Sequence, residues 1–138
     1  MAQLSRFDLL IVLRNQVRDR GLVQRALAVE AVMEELAGAL GHDPALWGLA
    51  GLGADIDVRM TAQHPERRGV VAEELLLAEG APAEVAAAAR ARHQSPPGQM
   101  TTLARALVVA AAQVDGAPVD ARVQACRELL GLEAAEAE

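Results

Sequence analysis

The chain has 138 residues, 52% of them apolar, and a formal net charge of −6. This length and apolar content are typical of one domain around one hydrophobic core. Because the sequence has no apolar run of about 18 residues and no cleavable leader, we expect a cytoplasmic protein without membrane contact. The cationic residues are all arginines spread along the chain, and without a basic stripe nucleic acid is not an expected partner.

The first two segments of the chain are predicted helices. Ser5 is a suitable N-cap for a helix with apolar positions 9, 10, 12, 13 and 17, which is expected to end near residues 20–21. From Leu22, apolar residues recur at positions 22, 26, 29, 33, 36, 37 and 40, a spacing of three and four that predicts a long second helix. Gly41 is expected to end that helix, and Asp43 and Pro44 supply the N-cap and first position of the next.

A third helix is predicted from Pro44 to about Gly53. Its string "LWGLAGLG" holds three glycines, each costing about 1 kcal/mol relative to alanine in a helix interior, which indicates close packing against a neighbouring helix. Trp47 is expected in the core because its neighbours are apolar. After a polar connection, "DVRMTAQHPERRG", helices are predicted for "VVAEELLLAEG", "PAEVAAAARARH", "MTTLARALVVAAAQV" and "PVDARVQACRELLG".

These segments predict an all-α, single compact domain of about six to seven helices over residues 1–132, followed by an acidic C-terminal tail over residues 133–138. The single cysteine, Cys126, cannot form an internal disulfide. We expect it to be a small apolar core residue, as is usual for a free cysteine within a helix.

The order of five segments resembles small members of the HD-domain superfamily of metal-dependent phosphohydrolases. The segments are "LVQRALAVEAVMEELAGALG", "DPALWGLAGLGADID", "HPERRGVVAEELL", "AAAARARHQSP" and "LARALVVAAAQVDG", and the resemblance extends over about residues 5–130. It implies an HD-like helical domain. In that family a histidine, a His-Asp doublet and a late aspartate hold one divalent metal, and two further histidines often hold a second.

Most of the ligand positions implied by the resemblance are occupied here by residues without a donor lone pair. The doublet corresponds to Ala54-Asp55, and the late aspartate corresponds to Ala112. The three other histidine positions correspond to Arg25, Arg68 and Arg92. Since alanine has no donor and a guanidinium stays protonated and repels a dication, Asp55 alone is not expected to hold a metal. The resemblance therefore implies a metal-free pseudoenzyme with no cofactor and no catalytic residues.

One alternative to that interpretation stays open. The chain has three histidines, and His93 lies one residue beyond a matched position, so His64, His93, Asp55 and Asp57 could rebuild a metal site in an altered phosphohydrolase. His42 and His64 lie in predicted turns, where a histidine is usually a solvated side chain.

We expect the domain to act by binding, with two hypotheses for its partner. A buried Asp55 needs a counter-charge, so it is expected to contact at least one arginine of the set, either as a structural ion pair or within an arginine-rich pocket for a small phosphate-bearing molecule. The ligand-binding candidates are Arg25, Asp55, Arg68, Arg92 and His93. The leucine- and valine-rich first and last helices instead suggest a protein partner or self-association as a homodimer.

Overall fold

The computed structural model describes residues 3–132, and within that range the chain is all-helical with no β-strand. The predicted acidic tail over residues 133–138 lies outside the described residues. Seven α-helices follow one another in this part of the chain, which confirms the prediction of an all-α domain with six to seven helices. They are α1 (Arg6–Val17), α2 (Arg20–Leu40), α3 (Pro44–Gly53), α4 (Val70–Ala78), α5 (Ala83–Gln94), α6 (Thr102–Asp115) and α7 (Ala121–Leu129).

Short polar side chains begin most of these helices, as their types predict. Ser5 accepts a hydrogen bond from the Asp8 N–H at the start of α1, and Thr101 does the same for α6. Gly41 and Gly116 adopt positive φ at the ends of α2 and α6, where a residue without Cβ is least strained.

The boundary between α1 and α2 differs from the prediction. The first helix ends at Val17, Arg18 adopts the left-handed conformation with φ 52°, and Asp19 caps α2 by accepting a hydrogen bond from Leu22 N. Gly21 therefore lies inside the second helix instead of ending the first. Asp19 decides the boundary because its side chain satisfies an N–H at the start of α2 that would otherwise have no partner within the helix.

Helix α6 lies at the centre of the core, and α2, α3, α5 and α7 all pack against it. Helix α3 also packs along α2, and a Cβ placed on Gly51 would lie only 3.0 Å from the backbone of Glu30. Close approach of α2 and α3 thus requires glycine at this position, as its place in the helix predicted. Trp47 and Cys126 are buried in the same core, as expected.

The segment between α3 and α4 is irregular and positions the candidate site. It consists of turns from Ala54 onward and a single turn of 3-10 helix at Pro65–Arg67. Within residues 3–132 no helix is both long and apolar enough to cross a membrane.

Candidate functional site

Asp55 directly follows α3 and points into a space between α2, α5 and the segment before α4. Its side chain is 14% exposed, and Ala54 beside it is fully buried. A carboxylate at this depth loses much of its hydration, which is costly unless charged groups replace the lost water.

Three guanidiniums supply that replacement. Arg25 of α2 donates from Nη1 to Oδ2 of Asp55 at 2.7 Å. Arg68, two residues before α4, and Arg92 of α5 both donate to Oδ1, each also at 2.7 Å. The expected contact between Asp55 and at least one arginine is therefore present, and all three arginines take part. We call Asp55 and these three arginines, with Asp57 and Asp115 described below, the Asp55 cluster.

The three histidines occupy different places. His93 of α5 lies beside the cluster, with Nε2 3.5 Å from Oδ1 of Asp55. His64 is exposed and lies 3.6 Å from Glu66, and His42 is exposed and stacks on the ring of Trp47. Of the histidines considered for a rebuilt metal site, only His93 lies next to Asp55.

Asp115, the last residue of α6, completes the ion pairing of Arg25 and was missed by the sequence analysis. Arg25 donates from Nε to Oδ1 at 2.7 Å and from Nη2 to Oδ2 at 2.9 Å, a bidentate pair. Asp115 lies three residues after Ala112, one helical turn beyond the position that the resemblance assigns to the late aspartate. That spacing is the signal that could have indicated its position.

Asp57 is fully buried, and it was predicted from the sequence only as a possible metal ligand beside Asp55. Its Oδ2 accepts hydrogen bonds from Gly69 N at 2.8 Å and Ala72 N at 2.9 Å, and its Oδ1 lies 3.3 Å from Arg68 Nε. Because Gly69 has no side chain to cap α4, Asp57 caps this helix from a distant part of the chain.

The charge of the cluster differs from that implied by the sequence analysis. The arginine-rich pocket expected from the sequence contained three arginines and a single aspartate, Asp55. Asp57 and Asp115 bring the carboxylates to three, equal in number to the guanidiniums. The cluster is thus neutral overall when His93 is neutral.

The surroundings of Asp55 and Asp115 fix their ionisation. Burial tends to raise the pKa of Asp55, but His93, Arg92 and Arg68 together outweigh it and hold this pKa well below its usual range. The hydrogen bonds from Arg25 lower the pKa of Asp115, against a smaller opposing effect of burial. The same pairing raises the pKa of the Arg25 guanidinium. Asp55, Asp115 and Arg25 are therefore charged near neutral pH.

A small cavity of about 110 Å³ adjoins the cluster. One wall is polar and consists of Arg25, Asp55 and Arg68. The remainder is apolar and is lined by Leu13, Val17, Leu22, Ala26 and Val58. The space is sufficient for a few water molecules or one small polyatomic anion, since water in the liquid occupies about 30 Å³ per molecule.

The residues at the ligand positions implied by the HD-domain resemblance do not fit a catalytic metal. Ala54 and Ala112 offer no donor atom, and both oxygens of Asp55 already accept hydrogen bonds from guanidiniums. Across residues 3–132, no three His, Cys, Asp or Glu side chains are grouped so that they could hold a metal ion. The three guanidiniums lie 2.7 Å from the oxygens of Asp55 and would also repel a dication that approached them at close range.

Comparison with models of protein families and with curated proteins finds no match for this chain.

Proposed function

We propose that the chain is a catalytically inactive HD-like domain of the cytoplasm that acts by binding. One observation carries this proposal: both oxygens of Asp55 are bound by the guanidiniums of Arg25, Arg68 and Arg92. In an enzyme of the kind that the sequence resembles, an open metal position would generate the nucleophile. Here the oxygen lone pairs of Asp55 accept hydrogen bonds from guanidiniums, so they are not available to bind a metal that would activate water.

We further propose a small phosphate-bearing molecule as the ligand of this cluster. Arg25 offers its Nε and Nη2 as a planar fork, which matches phosphate oxygens as well as it matches a carboxylate. The fork is held by Asp115, whose side chain is 45% exposed and can turn into solvent when another anion takes its place. A phosphate can therefore bind by replacing Asp115 on Arg25, with the adjoining cavity beside it.

The exchange of Asp115 for phosphate is tested by thermal unfolding in increasing inorganic phosphate. Removing the competing charge in Asp115→Asn should make the phosphate-dependent rise in melting temperature larger than in the wild type. Glu74→Gln is the matched control, because it removes an exposed carboxylate that pairs with Arg67 outside the cluster. Equal phosphate responses in all three proteins would contradict a phosphate site at Arg25.

Inactivity is tested separately by metal analysis and by hydrolysis assays on phosphomonoesters, phosphodiesters and nucleotides with added divalent metal. We expect no stoichiometric metal and rates equal to those of a buffer blank. A rate that survives repurification but is abolished by Asp55→Ala would support the alternative, an altered metal-dependent phosphohydrolase.

Self-association is a second candidate, favoured by one exposed apolar pair. Phe7 and Ile11 lie one turn apart on α1 and are 69% and 45% exposed, and isolated large apolar side chains at this spacing form a stripe suited to another helix. Sedimentation equilibrium should show a dimer that Phe7→Ser with Ile11→Ser converts to a monomer. A wild-type monomer at high protein concentration would exclude this candidate.

A further inference from the structure

A second arginine-rich surface lies where α1 meets α2. It is a groove of about 560 Å³, within the range of small-molecule sites. The lining residues come from the end of α1 and the first turns of α2. They are Arg14, Arg18, Asp19, Arg20, Val23 and Gln24.

The arginines of this groove differ from most others in the protein because they lack carboxylate partners. Within the described range, Arg14, Arg18 and Arg20 form no ion pair, whereas every arginine of the Asp55 cluster does. All three are exposed. The one carboxylate in the groove, Asp19, already accepts the hydrogen bond from Leu22 N. Three guanidiniums against one carboxylate leave two excess positive charges in a chain whose net charge is −6.

Arg18 has an unusual backbone conformation for its type. Among the described residues it is the only one other than glycine with positive φ, at 52°. Left-handed positions at helix ends are usually held by glycine or asparagine, since a Cβ there costs roughly 1 kcal/mol. Its Nε donates to Asn15 O at 3.0 Å, and the residue is part of the groove lining. A left-handed arginine beside other arginines without carboxylate partners suggests that this surface has a function, since strained backbone is often found at functional sites.

We infer that this groove binds a small molecule carrying at least two phosphate groups. Three separate guanidiniums suit a ligand with several anionic centres better than a single phosphate, because each can pair bidentately with a different group. Gln24 adds an amide donor, and Val23 supplies the apolar part of the lining. This site shares no residue with the Asp55 cluster, and the inference does not depend on the function proposed for that cluster.

The experiment is calorimetric titration of the full chain with inorganic tripolyphosphate and, separately, with inorganic phosphate at low ionic strength. We expect measurable tripolyphosphate binding that weakens as salt is added, since exposed charges are screened. Arg14→Gln with Arg20→Gln should weaken this binding about tenfold or more through loss of charge-assisted hydrogen bonds. Arg67→Gln is the matched control because it removes one exposed arginine outside the groove, and it should leave the affinity unchanged.

Three outcomes would overturn the inference: no tripolyphosphate binding by the wild type, equal loss in Arg67→Gln, or tighter binding of a polyglutamate peptide than of tripolyphosphate. Circular dichroism would show that the double variant is folded, as expected for exposed side chains. Asp115→Asn separates the two sites, because it should alter the response to inorganic phosphate at the cluster and leave tripolyphosphate affinity at the groove unchanged.

Discussion

Replacement of Asp55 by alanine should destabilise the fold, and the ion pairs around Asp55 indicate which arginine causes most of the loss. The change removes the common partner of three guanidiniums, and two of them keep a second carboxylate: Arg25 keeps Asp115, and Arg68 keeps Asp57 at 3.3 Å. Arg92 has no other ion pair within the described residues, and its side chain is only 12% exposed. The buried charge left without a partner is therefore chiefly that of Arg92.

The expected loss in the free energy of unfolding is about 3 kcal/mol, the lower end for breaking a buried ion pair, since Arg25 and Arg68 are partly exposed and can be hydrated. For a chain of this length that corresponds to a fall in melting temperature of about 12 °C. The measurement is urea unfolding at pH 7, followed by circular dichroism at constant protein concentration.

Double variants test whether Arg92 is the source of the loss. Asp55→Ala with Arg92→Met removes both charges at similar volume and should recover about half of the lost stability. Asp55→Ala with Arg25→Met should recover little, because Arg25 remains paired with Asp115 in the single variant. An unchanged midpoint for Asp55→Ala, or equal recovery in the two double variants, would refute the reasoning.

Three further predictions concern Asp57, the pH dependence that Asp55 confers, and Cys126. Asp57→Ala leaves the N–H groups of Gly69 and Ala72 without their acceptor and should cost about 2–4 kcal/mol in urea unfolding, whereas Asp57→Asn, which keeps an acceptor oxygen, should cost less. The pKa of Asp55 is lowered in the folded state. Its contribution to stability is therefore present above the unfolded pKa of about 3.9 and is lost as the pH falls below that value. The stability of the wild type should consequently decline more steeply in acid than that of Asp55→Ala. Cys126 is fully buried, and burial raises the pKa of its thiol, so it should react with a thiol reagent at neutral pH only after urea unfolding.

Each of these predictions has a clear contrary result. Equal losses for Asp57→Ala and Asp57→Asn would show that its hydrogen bonds to α4 contribute little. Parallel acid unfolding curves would mean that Asp55 has the same pKa in the folded and unfolded states. Rapid modification of Cys126 in the folded protein would place it at the surface.

The sequence by itself determined the helices, because the signals that form them lie within a few residues. Apolar spacing, the caps at Ser5, Asp43 and Thr101, and the glycine at position 41 are local features that act before any tertiary contact exists. The misplaced boundary between the first two helices, at Arg18 and Asp19, was local as well, but two signals competed there and the aspartate cap prevailed over Gly21. Gly51 similarly indicated close helix packing without indicating the partner helix.

Only the tertiary structure decided which charges meet. A buried carboxylate must find counter-charges, which is why a contact between Asp55 and an arginine could be predicted from its expected burial. The full set of charged residues in the cluster could not be predicted from the sequence. Arg25 and Asp115, for example, are separated by 90 positions and meet only because α2 and α6 pack together. Asp57 likewise caps α4 across 12 and 15 positions through the turns that follow α3. Ion pairing has no sequence period, so the neutrality of the cluster depends on how the helices dock.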